Sequence, residues 1–115
     1  MALVLCAGAD VSLVRTRQLI LERSGHVVVP AMDEPTLIAA CGQHKFEVAV
    51  LGHSLSPKAK RRIADVIREH CPATKVLELY ALSTGTALED ADAWLEVPAE
   101  GPQDLVARVQ ELISK

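Results

Sequence analysis

The chain has 115 residues, the size of one domain, so we expect a single domain over residues 1–115. Half of the residues are apolar and 23% are charged, which supports a packed core and excludes a disordered chain. The formal net charge of −3 at pH 7 gives no reason to expect binding to nucleic acid or to an anionic membrane.

The cysteines and the N-terminal segment bear on location. Cys6, Cys41 and Cys71 are an odd number without a C-x-x-C pair, which favours reduced thiols over a disulfide framework. The apolar start, residues 1–6, has no basic segment and is too short for a signal peptide. No apolar run approaches the roughly 18 residues of a membrane helix. We therefore expect a cytoplasmic protein.

Five short apolar runs predict β-strands. They are rich in Val and Leu and mostly do not alternate with polar residues, which is typical of parallel strands covered on both faces. The predicted strands are Ala2–Ala7, His26–Ala31, Glu47–Leu51, Lys75–Tyr80 and Trp94–Val97.

Four segments with helical spacing alternate with these strands. The first spans about Val11–Ser24 and ends at Gly25, the second and third follow caps at Asp33 and Ser56, and the last follows Gly101-Pro102. The residues predicted to face inward are Leu13, Ile20 and Leu21 in the first helix, Leu37, Ile38 and Cys41 in the second, Ala59, Ile63, Val66, Ile67 and His70 in the third, and Leu105, Val106, Val109, Leu112 and Ile113 in the last.

The segment between the fourth and fifth strands has room for little helix. Ser83, Thr84 and Gly85 interrupt it early and leave at most two turns around Thr86–Ala91. We therefore expect the helix of this fourth crossover to be shortened or absent.

The alternation of strands and helices predicts a flavodoxin-like, doubly wound α/β fold. Right-handed crossovers give a five-stranded parallel sheet with the strand order 2-1-3-4-5. In such sheets the functional crevice lies outside the carboxyl ends of the strands, so the loops at that edge decide the function.

Three segments resemble the receiver domains of bacterial response regulators, the CheY-like family. Phe46–Pro57 is similar to the family's third strand, where a run such as Asp-Leu-Val-Leu-Leu-Asp-x-x-Leu-Pro carries the phospho-accepting Asp. Ala91–Pro98 is similar to the family's Ala-Asp-Asp-Tyr-Leu-x-Lys-Pro, and Leu19–Val29 looks like its first helix running into the second strand. The resemblance implies a role in two-component (phosphorelay) signalling.

The sequence departs from that family wherever the phosphorylation chemistry lies. The family uses two acids to hold Mg²⁺, an Asp acceptor, a Thr or Ser after strand four and a Lys after strand five. The matching positions hold, in that order, Gly8 and Ala9, Gly52, Tyr80 and Val97. Asp10 and His53 lie next to these positions and are the only residues there that could retain part of the chemistry. We expect a pseudo-receiver that is not an enzyme, has no catalytic residues, and binds no Mg²⁺.

Other chemistries have weaker support. Asp10 or His53 could be an atypical phosphoryl acceptor, but no nearby group is placed to bind the phosphoryl oxygens. The histidines and cysteines lack metal-ligand spacing, and no glycine-rich nucleotide motif is present, so no metal and no cofactor is expected. The emptied crevice could alternatively hold a small molecule, with Ser54 and Ser56 donating hydrogen bonds.

Strands four and five predict an interaction surface. By the two-residue period of a strand, Glu78 and Tyr80 share one side of strand four, and Trp94 and Glu96 share one side of strand five. Burying two carboxylates without partners beneath a helix is costly, and this helix is the one expected to be shortened. We therefore expect an open face that binds a protein partner or a second copy, as the corresponding receiver surface does.

A basic cluster, Lys58, Lys60, Arg61 and Arg62, opens the third helix. Its charges oppose the helix dipole and stabilise nothing locally. We expect a solvated helix face; the alternative is an anion-binding patch that docks an acidic partner.

Overall fold

A parallel five-stranded sheet with the strand order β2-β1-β3-β4-β5 organises the computed structural model, which describes residues 2–98 and 101–115. The strands are β1 (Leu3–Ala7), β2 (Val27–Ala31), β3 (Val48–Leu51), β4 (Lys75–Ala81) and β5 (Ala93–Val97). Among the described residues the helices are α1 (Val11–Arg23), α2 (Glu34–Gln43), α3 (Pro57–His70) and α4 (Pro102–Ile113). The predicted flavodoxin-like class and strand order are confirmed.

Each face of the sheet carries two helices. Helices α1 and α4 cover one face, where Val14 and Leu21 pack with Val109 and the strand residues between them. Helices α2 and α3 cover the other face through Leu37 and Ile67. Both faces of the strands are therefore buried, which explains their continuous apolar sequences.

Side-chain caps set the starts of three helices where the sequence predicts them. Asp10, Asp33 and Ser56 accept hydrogen bonds from the N–H groups three residues further on, over 3.1, 2.8 and 3.1 Å. Two of the predicted inward positions are wrong. Ile38 is 37% exposed because the buried stripe of α2 passes through Leu37, Ala40 and Cys41, and His70 lies exposed in the last turn of α3.

Cys41 and Cys71 form a disulfide, so the expectation of three reduced thiols is wrong for this pair. Helices α2 and α3 lie side by side and bring the two Cα atoms to 5.6 Å, a separation that a disulfide spans without backbone movement. Their distance of 30 residues along the chain hides this proximity from the sequence. Cys6 in β1 stays a free, buried thiol.

The connection between β4 and β5 contains turns and no helix over residues 82–92. The helix of this crossover, expected to be shortened to at most two turns around Thr86–Ala91 or to be absent, is absent. The fourth helix in chain order, α4, is neither shortened nor absent, since it has 12 residues. On the α2–α3 face the connection contributes only Leu88 and Ala91 to the core.

A buried ion pair holds this connection in place. The Glu78 carboxylate on β4 is 0% exposed and lies 2.8 Å from Lys60 Nζ on α3. It also accepts hydrogen bonds from the N–H groups of Ala87 and Leu88, over 2.7 and 2.9 Å. Lys60 Nζ donates a further hydrogen bond to the Leu79 carbonyl oxygen over 2.7 Å.

This pair corrects two predictions. Glu78 does not belong to an open face, because Lys60 and two backbone amides supply the partners that make its burial possible. Lys60 does not belong to a solvated basic face, because its side chain is only 4% exposed and its ammonium reaches β4.

Polar contacts fix the rest of the connection. Arg68 on α3 pairs with Asp90 over 2.7 Å. Asp92 accepts a hydrogen bond from Val76 N–H and donates its own N–H to the Val76 carbonyl oxygen, over 2.7 and 2.9 Å. The indole N–H of Trp94 donates to the Leu88 carbonyl oxygen over 2.9 Å. Together these contacts order the segment without helical hydrogen bonds.

We expect Lys60→Met to lower the free energy of unfolding by about 3–5 kcal/mol, because it leaves the Glu78 carboxylate buried without a countercharge. Urea denaturation measures the change. Lys58→Met, an exposed lysine on the same helix, is the matched control and should change stability by less than about 0.5 kcal/mol. Equal effects of the two substitutions would contradict the role given to the pair.

Candidate functional site

The crevice at the carboxyl ends of β1 and β3 contains the positions that the receiver resemblance assigns to phosphorylation. The two strands end side by side, with Ala7 opposite Leu51. Gly8 and Gly52 follow them directly, and the Gly52 N–H donates to the Ala7 carbonyl oxygen over 2.8 Å. The structure therefore brings these two predicted positions together.

Arg17 on α1 covers this crevice. A Cβ atom added to Gly52 would lie 2.9 Å from Arg17 Nη1, so the guanidinium occupies the space beside a residue that has no side chain. Arg17 Nη2 lies 2.8 Å from His53 Nδ1. Because a guanidinium only donates, Nδ1 accepts this bond and the ring proton of neutral His53 lies on Nε2.

Sequence reasoning missed Arg17, although its position carried a signal. Val14 and Leu21 are the buried residues of α1, and Arg17 lies three residues after the first and four before the second. That spacing places the arginine on the inward stripe of the helix. A charged residue there needs a site that receives its head group.

The crevice is a cationic environment. Burial lowers the pKa of the Arg17 guanidinium below its ordinary value, against smaller opposing effects of Cys6 and Asp10. Burial also lowers the pKa of His53, and the positive charges of Arg17 and Lys60 lower it further. Among the described residues no carboxylate forms an ion pair with Arg17, and its Nη1 atom is buried without a hydrogen-bond partner. The corresponding pocket of receiver domains is acidic, so its charge is opposite to that of this crevice.

The acid-pair positions offer no ligands for a cation. A Cβ atom on Gly8 would lie 2.6 Å from Val14 Cγ2, a contact that the stiff valine cannot relieve without movement of the helix. Ala9 and Asp10 are exposed, and the Asp10 carboxylate accepts the Leu13 N–H as the cap of α1. Within residues 2–98 and 101–115 no group of three or more His, Cys, Asp or Glu side chains could hold a metal ion.

Tyr80 and Val97 lie on opposite sides of the sheet. Val97 is partly buried against the core beneath α1 and α4, and its register partner on β4 is Ala81. Tyr80 comes one position before Ala81 and therefore points to the other side of the sheet. The two residues that would replace the family's hydroxyl and lysine therefore do not form one polar pocket.

Three of the four residues predicted for a partner face remain accessible. Trp94 is 37% exposed, Glu96 is exposed and Tyr80 is half-buried, whereas Glu78 lies inside. Leu82, which follows β4 directly, is 77% exposed. The accessible face of β4 and β5 is thus Tyr80, Leu82, Trp94 and Glu96.

The predicted basic cluster is not a single patch. Lys58, Arg61 and Arg62 are exposed, but Arg62 donates to Glu34 of α2 and Lys60 is buried. Lys58 and Arg61 are therefore the two members of the cluster that are exposed and have no ion pair among the described residues. The described residues around them do not form an anion-binding site.

None of the described helices has the length and apolar character needed to cross a membrane.

Solved structures place the architecture among receiver domains, although no family model and no curated protein matches the sequence. A receiver domain of response regulator 1452 from Francisella has a TM-score of 0.81 and 21% identity, over 99% of this chain and 98% of that one. The chemotaxis protein CheY4 of Vibrio cholerae has 0.80 and 22%, over 97% and 98%.

A third match is a response regulator from Burkholderia pseudomallei, solved with a phosphorylated aspartic acid and a calcium ion. Its TM-score is 0.78 and its identity 22%, over 99% of this chain and 69% of that one. These likenesses establish the receiver fold, and the residues of this chain must supply any argument about its chemistry.

We expect His53 to titrate below the ordinary histidine pKa of about 6.5, and Arg17→Gln to raise its pKa by removing a neighbouring positive charge. NMR titration of the ring protons measures both values. Arg15→Gln, an exposed arginine on the same helix, should leave the His53 pKa unchanged. Because the pKa of His53 is lower in the folded chain than in the unfolded chain, protonation favours unfolding. The contribution of neutral His53 to the free energy of unfolding is therefore complete above about pH 6.5 and falls as the pH is lowered.

Proposed function

We propose that this chain is a receiver-type signalling module that is not phosphorylated and acts, without catalysis of its own, through contacts with a protein partner or a second copy. The observation that carries the proposal is the replacement of an acidic crevice by Arg17 and His53 above Gly52.

The crevice lacks a competent phosphoryl acceptor. Gly52 has no side chain, and Asp10 is engaged as a helix cap at the edge of the crevice. In neutral His53, Nδ1 accepts from Arg17 and Nε2 carries the proton, so neither ring nitrogen has a free lone pair for attack on phosphorus. Mg²⁺ prefers carboxylate oxygens, whereas the group over Gly52 is a guanidinium.

The accessible face of β4 and β5 is the proposed contact surface. Trp94 and Leu82 are large exposed apolar residues, and Glu96 adds a charge beside them. Aromatic and apolar anchors with polar neighbours are common at protein interfaces. The Lys60–Glu78 pair holds the connection behind this face in one arrangement, so binding needs no phosphorylation signal.

The proposed location is the cytoplasm, where receiver-type signalling takes place. Disulfides are rare in that compartment. The Cys41–Cys71 disulfide is shielded from solvent, since the two residues are 8% and 7% exposed. A buried disulfide is protected because reduction requires access for an attacking thiolate.

Incubation with acetyl phosphate and Mg²⁺ should add no phosphoryl group to the native chain. We also expect Gly52→Asp to remain unphosphorylated, because the new carboxylate would meet the Arg17 guanidinium instead of a metal ion. Intact mass spectrometry under non-acidic conditions detects either product, and His53→Ala identifies any histidine adduct. A phosphoryl group on the native chain would refute the proposal.

Glu96→Lys should weaken self-association or partner capture, because it reverses an exposed charge without removing a packing contact. Analytical ultracentrifugation measures self-association, and capture from the native host compares partners of the native chain and the variant. The Tyr80→Ala, Trp94→Ala double variant should reduce both further, with its fold checked by circular dichroism. Leu19→Ala, an exposed apolar residue on α1, is the matched control. Unchanged association in both face variants would exclude this surface.

A further inference from the structure

A cavity of about 480 Å³ lies between α1, the ends of β4 and β5, and the start of α4. Its walls are mostly aliphatic, formed by residues that include Leu13, Ile20, Leu79, Leu95, Val97 and Leu105. The volume is within the range of about 300–1,000 Å³ that small-molecule sites occupy. It lies on the α1–α4 side of the sheet. Of the positions that the resemblance assigns to phosphorylation, its described lining includes Val97 and does not include Gly8, Gly52 or Tyr80.

Arg17 is the cationic group of this cavity. Its side chain and that of His53 line one end, where the aliphatic wall gives way to the crevice above Gly52. Thr16, another polar lining residue, donates its hydroxyl to the Ser12 carbonyl oxygen over 2.9 Å. Among the described lining residues, Arg17 is the one with a formal charge, and Thr16 and His53 are the other polar side chains.

The guanidinium is incompletely satisfied. Nη2 has His53 as its partner, but Nη1 is buried without a hydrogen bond, and the described carboxylates form no ion pair with Arg17. A buried charged donor without a partner is unfavourable. A carboxylate relieves this situation best, because its two oxygens match the planar fork of an arginine.

We propose that this cavity binds a small organic carboxylate with an apolar body, of the class of a medium-chain fatty acid, with its head group on Arg17 and its chain among the leucines. Because Nη1 lies beside Gly52, binding of the head group requires the Arg17 side chain to rotate, while α1 and the sheet stay in place. Inorganic phosphate or another small anion fits less well, because it leaves the aliphatic walls uncovered.

Octanoate and 1-octanol are suitable probes because they share the chain and differ in charge. We expect ¹⁵N NMR titration with octanoate to shift amides of α1, β5 and the start of α4, and octanol to bind about tenfold or more weakly. Arg17→Gln should weaken octanoate by a similar factor and leave octanol unchanged. Arg17→Lys should keep part of the preference, and Arg15→Gln should keep all of it.

The cavity can be tested separately from the charge. Ala81→Leu places a larger side chain in the lining and should weaken both probes. Circular dichroism and thermal unfolding establish that each variant is folded. Absence of shifts at millimolar octanoate, equal binding of the two probes, or full octanoate binding by folded Arg17→Gln would each overturn the proposal. The proposed signalling function does not depend on this site and is tested by phosphorylation and association.

Discussion

Burial of one carboxylate, Glu78, is the constraint on which the α3, β4 and β5 region depends. A charge with no exposure to water is tolerable only with a countercharge and full hydrogen bonding. Lys60 supplies the charge from α3, and Ala87 and Leu88 supply backbone N–H groups from the connection. Those amides are available because residues 82–92 form no helix, so the irregular connection supplies the partners that the buried glutamate needs.

The crevice shows the same interdependence among residues. Gly52 has no side chain, and Arg17 covers the space beside it, while the Val14 methyl group occupies the volume that a side chain at position 8 would need. A side chain introduced at position 8 or 52 would therefore meet a neighbour on α1. Both contacts are made by residues of α1, so the packing of this helix helps to set the shape of the crevice.

The sequence predicts the parts of this structure that depend on local chemistry. Continuous apolar runs predict parallel strands, and Asp33 and Ser56 predict helix starts, because a cap depends on residues three positions apart. The Lys60–Glu78 pair, the Cys41–Cys71 disulfide and the Arg17–His53 contact join residues 18, 30 and 36 positions apart. No local pattern encodes such distances. The sequence alone therefore favours a solvated position for Lys60 on its helix and an open face for Glu78 on its strand.

The hydrogen bond from Trp94 to Leu88 also gives the molecule an intrinsic optical probe. Trp94 is the only tryptophan of the chain, and its indole joins β5 to the connection that Glu78 holds. Trp94 is 37% exposed, so its fluorescence depends both on the indole hydrogen bond and on water at the sheet surface. Opening of the connection and coverage of β5 by another molecule would perturb that emission in opposite directions, one by hydrating the indole and the other by excluding water.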